Sequence, residues 1–213
     1  MLTERRRNQR REDRLAGVGL SYGIIADVSA TLQQVLTDAL SVLTPGPPVA
    51  EISDLQGTIQ TAPARVTLFL FEVVEDPSAK NRPRIRTSSP PDLLIGKPPM
   101  ALILRYMLTA WSGDRATDQT LLGRVMQVLY DGAIISGAQL QGSLANTDQA
   151  LKITLAPITL DDRTRVWYSV QKPYRLSLTY EVRVVNLYSE RTDPVRPVGQ
   201  RTVDSNVPQG ATA

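Results

Sequence analysis

From Tyr22 onward the apolar residues Ile24, Ile25, Val28, Leu32, Val35, Leu36, Ala39, Leu40 and Leu43 recur at intervals of three and four, the spacing of one helical face. Ser21 is a candidate N-cap, and Pro45-Gly-Pro-Pro48 stops the run. A short strand is expected over 49–55. In 65–74, Val66, Leu68 and Leu70 alternate with Phe69, Phe71 and Val73. Both sides are apolar, which predicts a central strand covered on both faces. Residues 100–111 give a second apolar strand, broken by Ser112-Gly-Asp114. A second amphipathic helix is expected over 117–130, with Leu121, Leu122, Val125, Met126 and Leu129 on its buried stripe and Asp131-Gly132 at its end.

Beyond short extended pieces at 133–150, Leu151, Ile153 and Leu155 alternate as a strand. Thr159-Leu-Asp-Asp162 resembles a capping box, with Asp in place of the usual Glu or Gln, opening a short helix that holds Val166, Trp167 and Val170. Tyr174, Leu176, Leu178, Tyr180, Val182 and Val184 alternate with Arg175, Ser177, Thr179, Glu181 and Arg183, a long strand with one buried and one polar face. This order of elements predicts an α/β (α+β) single domain with a mixed central β-sheet flanked by helices. Phe69, Phe71, Trp111, Trp167 and Tyr180 are assigned to its structural core. Domain bounds are expected at 21–188, with a basic N-terminal arm over 1–20 and a polar C-terminal tail over 189–213. Residues 76–99 contain six of the fifteen prolines together with Arg82, Arg84 and Arg86, and are expected to form a long surface loop without a paired inner strand.

Composition narrows the chemistry. The chain has 213 residues and neither Cys nor His. Disulfides, thiolate metal sites, cysteine nucleophiles, His-based triads and zincin motifs are therefore excluded for this sequence. The net charge of +3 resides in the first fourteen residues, where Arg5, Arg6, Arg7, Arg10, Arg11 and Arg14 face Glu4, Glu12 and Asp13. The remainder is neutral, so the body is not composed like a nucleic-acid-binding domain. No apolar run approaches the ~18 residues of a membrane span, and no secretory signal is recognisable, so cytoplasmic assembly is expected.

The motifs favour no enzyme. Gly17-Val-Gly19-Leu-Ser-Tyr-Gly23 resembles a dinucleotide fingerprint, but its third Gly is displaced and no strand precedes it; a hinge between arm and helix accounts for it. Gly96-Lys97 lacks the partner residues of a phosphate loop. Ser169-Val-Gln-Lys172 fits Ser-x-x-Lys without the companion motifs of that chemistry. Asp161/Asp162 and Glu72/Glu75/Asp76 are the tight carboxylate groups, read as a helix cap and a loop mouth rather than as a Mg²⁺ or Ca²⁺ site. Trp111 and Trp167 fit core packing better than stacking platforms. No catalytic, cofactor-binding or metal-binding residue is assigned. The alternative from a different class is a nucleic-acid-binding protein gripping phosphates with the Arg-rich arm.

Six blocks stand out in order and spacing: Tyr22-Gly-Ile-Ile-Ala-Asp-Val-Ser29, Val66-Thr-Leu-Phe-Leu-Phe-Glu-Val-Val-Glu-Asp-Pro77, Pro98-Pro99 leading into Leu104-Arg-Tyr-Met-Leu-Thr-Ala-Trp111, Leu121-Leu-Gly-Arg-Val-Met-Gln127, Leu160-Asp-Asp-Arg-Thr-Arg-Val-Trp167 and Pro173-Tyr-Arg-Leu-Ser-Leu-Thr-Tyr-Glu-Val182. Together they resemble one family, the cap or tail-terminator proteins of phage-tail-like extracellular contractile injection systems. The resemblance covers about residues 20 to 188. It implies a structural protein that forms a homohexameric ring at the baseplate-distal end of an injection particle, ending polymerisation of the inner tube and sheath. Its partners would be itself, sheath and tube proteins, with no cofactor, small-molecule substrate, nucleic acid or membrane, in a particle released by lysis. The six arm arginines and Arg82, Arg84 and Arg86 are the expected interface residues.

Overall fold

The computed structural model describes residues 22–43, 46–89, 92–145, 147–189 and 191–195. Along the chain come α1 (Ile24–Leu40), β1 (Val49–Ile52), β2 (Arg65–Glu75), β3 (Ile85–Ser89), β4 (Asp92–Gly96), β5 (Met100–Trp111), α2 (Arg115–Asp131), β6 (Ile134–Ser136), β7 (Ala150–Leu155), α3 (Leu160–Ser169), β8 (Ser177–Leu187) and β9 (Thr192–Val195). The fold is α+β. The chain divides into two compact units, one of residues 1–82 with 99–188 and one of 83–98 with 189–213.

The larger unit is built on a six-stranded mixed sheet in the order β1-β2-β5-β8-β7-β6. Every neighbouring pair is antiparallel except β1 and β2, which run parallel and are joined by the crossover 53–64. At the β1 edge, Gln33 Nε2 of α1 donates to the Ala50 carbonyl at 3.0 Å. Alternation along β5 separates two cores. Leu104, Tyr106, Leu108 and Ala110 face α1 and α2; Met107 and Trp111 face α3 and the 53–64 crossover.

The apolar stripe expected for the first helix packs on the first face: Ile24, Val28, Leu32, Leu36 and Leu40 are buried there. Each such side chain contributes roughly 1.5–3 kcal/mol of transfer free energy. Helix α2 adds Leu121, Leu122, Val125 and Leu129 to the same core, and its N-cap is Asp114, whose Oδ2 accepts from Thr117 N at 2.8 Å. Met126, expected on that stripe, is 40% exposed. The Ser21 N-cap lies outside the described residues, and Gly23 occupies the N-cap position. On the second face, α3 inserts Trp167 beside Leu55, Met107 and Trp111, with Phe69, Phe71 and Val166 half-buried around them.

The smaller unit is a three-stranded antiparallel sheet, β3-β4-β9. The expected surface loop is thus a hairpin whose inner strand, β4, is paired on both sides. Pro83, Pro90, Pro91, Pro98 and Pro99 fall before, between and after the two strands, leaving 85–89 and 92–96 free to donate every ladder bond. Residues 192–195, expected within a polar tail, form the edge strand β9, where Pro194 is tolerated.

Candidate interface on the polar face of the sheet

The second face of the large sheet changes character row by row. Nearest the crossover, Trp111 donates from Nε1 to Thr67 Oγ1 at 3.0 Å, and its ring lies 6.3 Å from that of Trp167. The Arg175 guanidinium sits 4.3 Å over the Trp111 ring while Nη2 pairs with Asp118 at 2.6 Å. The next row, Thr67, Thr109 and Ser177, is buried. Ser177 Oγ accepts from Thr109 Oγ1 at 3.0 Å and from Trp167 Nε1 at 3.2 Å, and donates to the Arg175 carbonyl at 2.9 Å. Then come Phe69, Met107 and Thr179. The polar face of β8 is therefore buried over Ser177, Thr179 and Glu181; Trp167 of α3 supplies a donor to Ser177, while Thr179 Oγ1 is enclosed without a hydrogen-bond partner among the described residues.

Beyond that row the sheet becomes ionic. Glu72 of β2, Arg105 of β5 and Glu181 of β8 are direct cross-strand neighbours. Arg105 binds Glu72 through Nη1 at 2.5 Å and Glu181 through Nε at 2.9 Å. Arg183 binds Glu181 at 2.8 Å and reaches Asp76 at 3.9 Å. Hydrogen bonding to Glu72 outweighs burial and holds the Arg105 guanidinium more firmly protonated than usual. Burial pushes the Glu181 carboxyl up, but hydrogen bonds and charge from Arg183 and Arg105 overcome it, leaving its pKa below the ordinary range. Asp76 is lowered chiefly by Ser78, whose hydroxyl and amide both donate to Oδ1, at 2.6 and 2.9 Å.

Between this row and α3 runs an open groove of about 420 Å³, lined by Phe71, Glu72, Arg105, Ile158, Asp162 and Val166. A second depression of about 380 Å³ is lined by Asp76, Ser78, Ala79, Asn81, Arg82 and Ala101. The carboxylate groups singled out in the sequence each have a local partner. Glu75 pairs with Lys80 at 3.4 Å and Asp161 with Arg165 at 2.9 Å. Asp162 completes the capping box, its amide donating to Thr159 Oγ1 at 3.1 Å and its Oδ2 accepting from that hydroxyl at 2.7 Å. Among the described residues no group of three or more acidic side chains is arranged to hold a metal ion, and no helix is long and apolar enough to cross a membrane.

The profile of the Pvc16 N-terminal domain matches residues 27–201. The chain belongs to the Pvc16 N-terminal domain family. No curated protein sequence is significantly similar to it. Among solved structures, it resembles the PVC sheath/tube terminator of an extracellular contractile injection system in the extended state, with a TM-score of 0.59 and 21% identity, over 89% of this chain and 65% of that one. It also resembles the tube-terminating cap of the anti-feeding prophage, with a TM-score of 0.55 and 16% identity, over 88% of this chain and 62% of that one. The chain thus spans a little under two thirds of the length of those caps, and what it shares with them is the fold.

In this Pvc16 N-terminal domain, Trp111, Trp167 and Tyr180 are buried, the first two in the second core and Tyr180 in the first; Phe69 and Phe71 are half-buried beside the tryptophans. Arg82, in the larger unit, is exposed and donates to Asn186 Oδ1 at 2.8 Å. Arg84 and Arg86 are exposed in the smaller unit, Arg86 opposite Ile95. Arg5, Arg6, Arg7, Arg10, Arg11 and Arg14 lie outside the described residues. Sequence reasoning missed the Glu72–Arg105–Glu181 row. The signal was a charge within each of three otherwise apolar or alternating strands, alone only in β5, and only their register shows that Glu72, Arg105 and Glu181 meet.

Proposed function

We infer that this chain is a structural terminator of a contractile injection particle, assembling as a ring that ends the growth of its inner tube and sheath. Membership of the Pvc16 N-terminal domain family, with a fold shared over 89% of the chain with a sheath/tube terminator, carries the reading. On it, residues 21–188 form the terminator body, and residues 1–20 and 189–213 are extensions toward neighbours. The ring is homohexameric, and its partners are the last ring of tube and of sheath. The protein acts as part of a phage-tail-like particle, assembled in the cytoplasm and released by lysis. Termination asks for no reacting group. A growing polymer exposes unsatisfied edges at its last ring, and a protein that pairs with them and offers no continuation stops it. The α+β body supplies a rigid scaffold for such pairing, and its paired charges give directional contacts at the open groove.

The test is to assemble particles with and without this chain and measure length and end structure by electron microscopy. Particles of uniform length with a closed end are expected when it is present, and overlong or ragged tubes and sheaths when it is not. Uniform, closed particles in its absence would remove the terminator role.

A further inference from the structure

We propose that the groove beside α3 receives the Arg-rich segment 5–14 of an adjacent copy of this chain, so that each copy in a ring is strapped to the next by guanidinium–carboxylate pairs. This rests on the ring reading above and adds the site and its occupant. The groove's lining guanidinium, Arg105, is already engaged by both Glu72 and Glu181, and Arg183 is divided between Glu181 and Asp76. The groove lining itself holds two carboxylates, Glu72 and Asp162, against one guanidinium, Arg105, and Asp162 Oδ2 accepts from the Thr159 hydroxyl at 2.7 Å. Arg163 on α3 is turned to the Ile158 carbonyl, with Nη2 at 3.5 Å. The Glu72 side chain stays 39% exposed while holding one donor, and a carboxylate can accept several more. Phe71, half-buried in the groove wall, offers an aromatic face to a planar guanidinium.

The same chain holds the complementary charge. Segment 5–14 carries six Arg against Glu12 and Asp13. It joins the fold through α1, which covers the first face of the sheet, whereas the groove lies on the second. Residues 15–23 extend to roughly 30 Å at most, enough to leave the parent molecule for one in contact with it. The sheet stands between the start of α1 and the groove. Bidentate Arg–carboxylate pairing gives such a strap geometric selectivity as well as attraction.

The chain contains no Cys, so an introduced pair reports without background. The full-length protein carrying Arg10→Cys and Asp162→Cys, oxidised mildly, is expected to give a ladder of covalent multimers on a non-reducing gel. Arg10→Cys with Gln119→Cys, on the exposed side of α2, is expected to give none. Light scattering on the same samples reads the assembly mass. A ring-sized mass without a ladder overturns the strap and leaves the ring standing. A monomeric mass without a ladder overturns both. A linked monomer of altered mobility overturns the assignment to an adjacent copy. In the Cys-free protein, Glu72→Gln with Asp162→Asn is expected to weaken self-association by about tenfold at low salt and to flatten its salt dependence. Unchanged association and salt response would count against the strap.

Discussion

Gly142 takes φ +59, and a Cβ there would collide with the Asp27 carboxylate, which accepts from the amide and hydroxyl of Ser143. Together with Thr31, whose Oγ1 accepts from Gln141 N at 3.0 Å, these bonds fix the 141–144 turn to α1. Gly142→Ala is expected to destabilise the fold by about 2–4 kcal/mol, combining the left-handed backbone with displaced hydrogen bonds. Combining it with Asp27→Ala should cost clearly less than the sum of the two single variants, as urea titrations would read. Trp167 is 1% exposed and hydrogen-bonded to Ser177, so Trp167→Ala should cost about 3–5 kcal/mol; an unchanged melting temperature would contradict its place in the core. Trp167 is legible in the sequence as core because it sits next to Val166 and three residues before Val170 on a short amphipathic helix. The role of Gly142 is not, because its constraint comes from a carboxylate over a hundred residues away in the chain.

At the scale of elements, the charged row across β2, β5 and β8 gives stability a direction with pH. Asp76 and Glu181 have folded pKa values below their ordinary 3.8 and 4.5. The unfolded chain therefore takes up protons at those groups before the folded protein does. Their contribution is complete above about pH 5 and is lost as pH falls through the lowered folded values. Urea midpoints at pH 7, 4 and 3 should fall in that order, with a shallower fall in Glu181→Gln. At the alkaline end the sign reverses: burial lifts the Tyr106 phenol to about 12, so stability it confers is present below pH 10 and lost above it. Both long helices and the two central strands could be read from periodicity, because their apolar faces are continuous in sequence. The β3–β4 hairpin could not, because proline density averaged over 76–99 hides that the prolines bracket the strands. Nor could the buried polar face of β8, since the alternation of Ser177, Thr179 and Glu181 does not show that the preceding helix, α3, folds back across that face.

At the scale of the whole molecule, the proposed arm lies outside the described core. Deleting residues 1–16 removes none of the described core, so the melting temperature should stay within a degree or two, the span expected of ~0.5 kcal/mol or less in a domain of this size. The same deletion should broaden the length distribution of assembled particles in electron micrographs. Normal ends and lengths would mean that the arm is dispensable for termination. The β1 edge bears on the same question from the other side. Sheet edges ordinarily invite a further strand, but here the Ala50 carbonyl is already occupied by Gln33, and Glu51 holds Arg65 at 2.5 Å. A strand whose outward acceptor is filled from its own helix is a poor template for the next molecule. On the terminator reading, a polymer that meets the protein along β1 finds no ready strand edge there on which to go on.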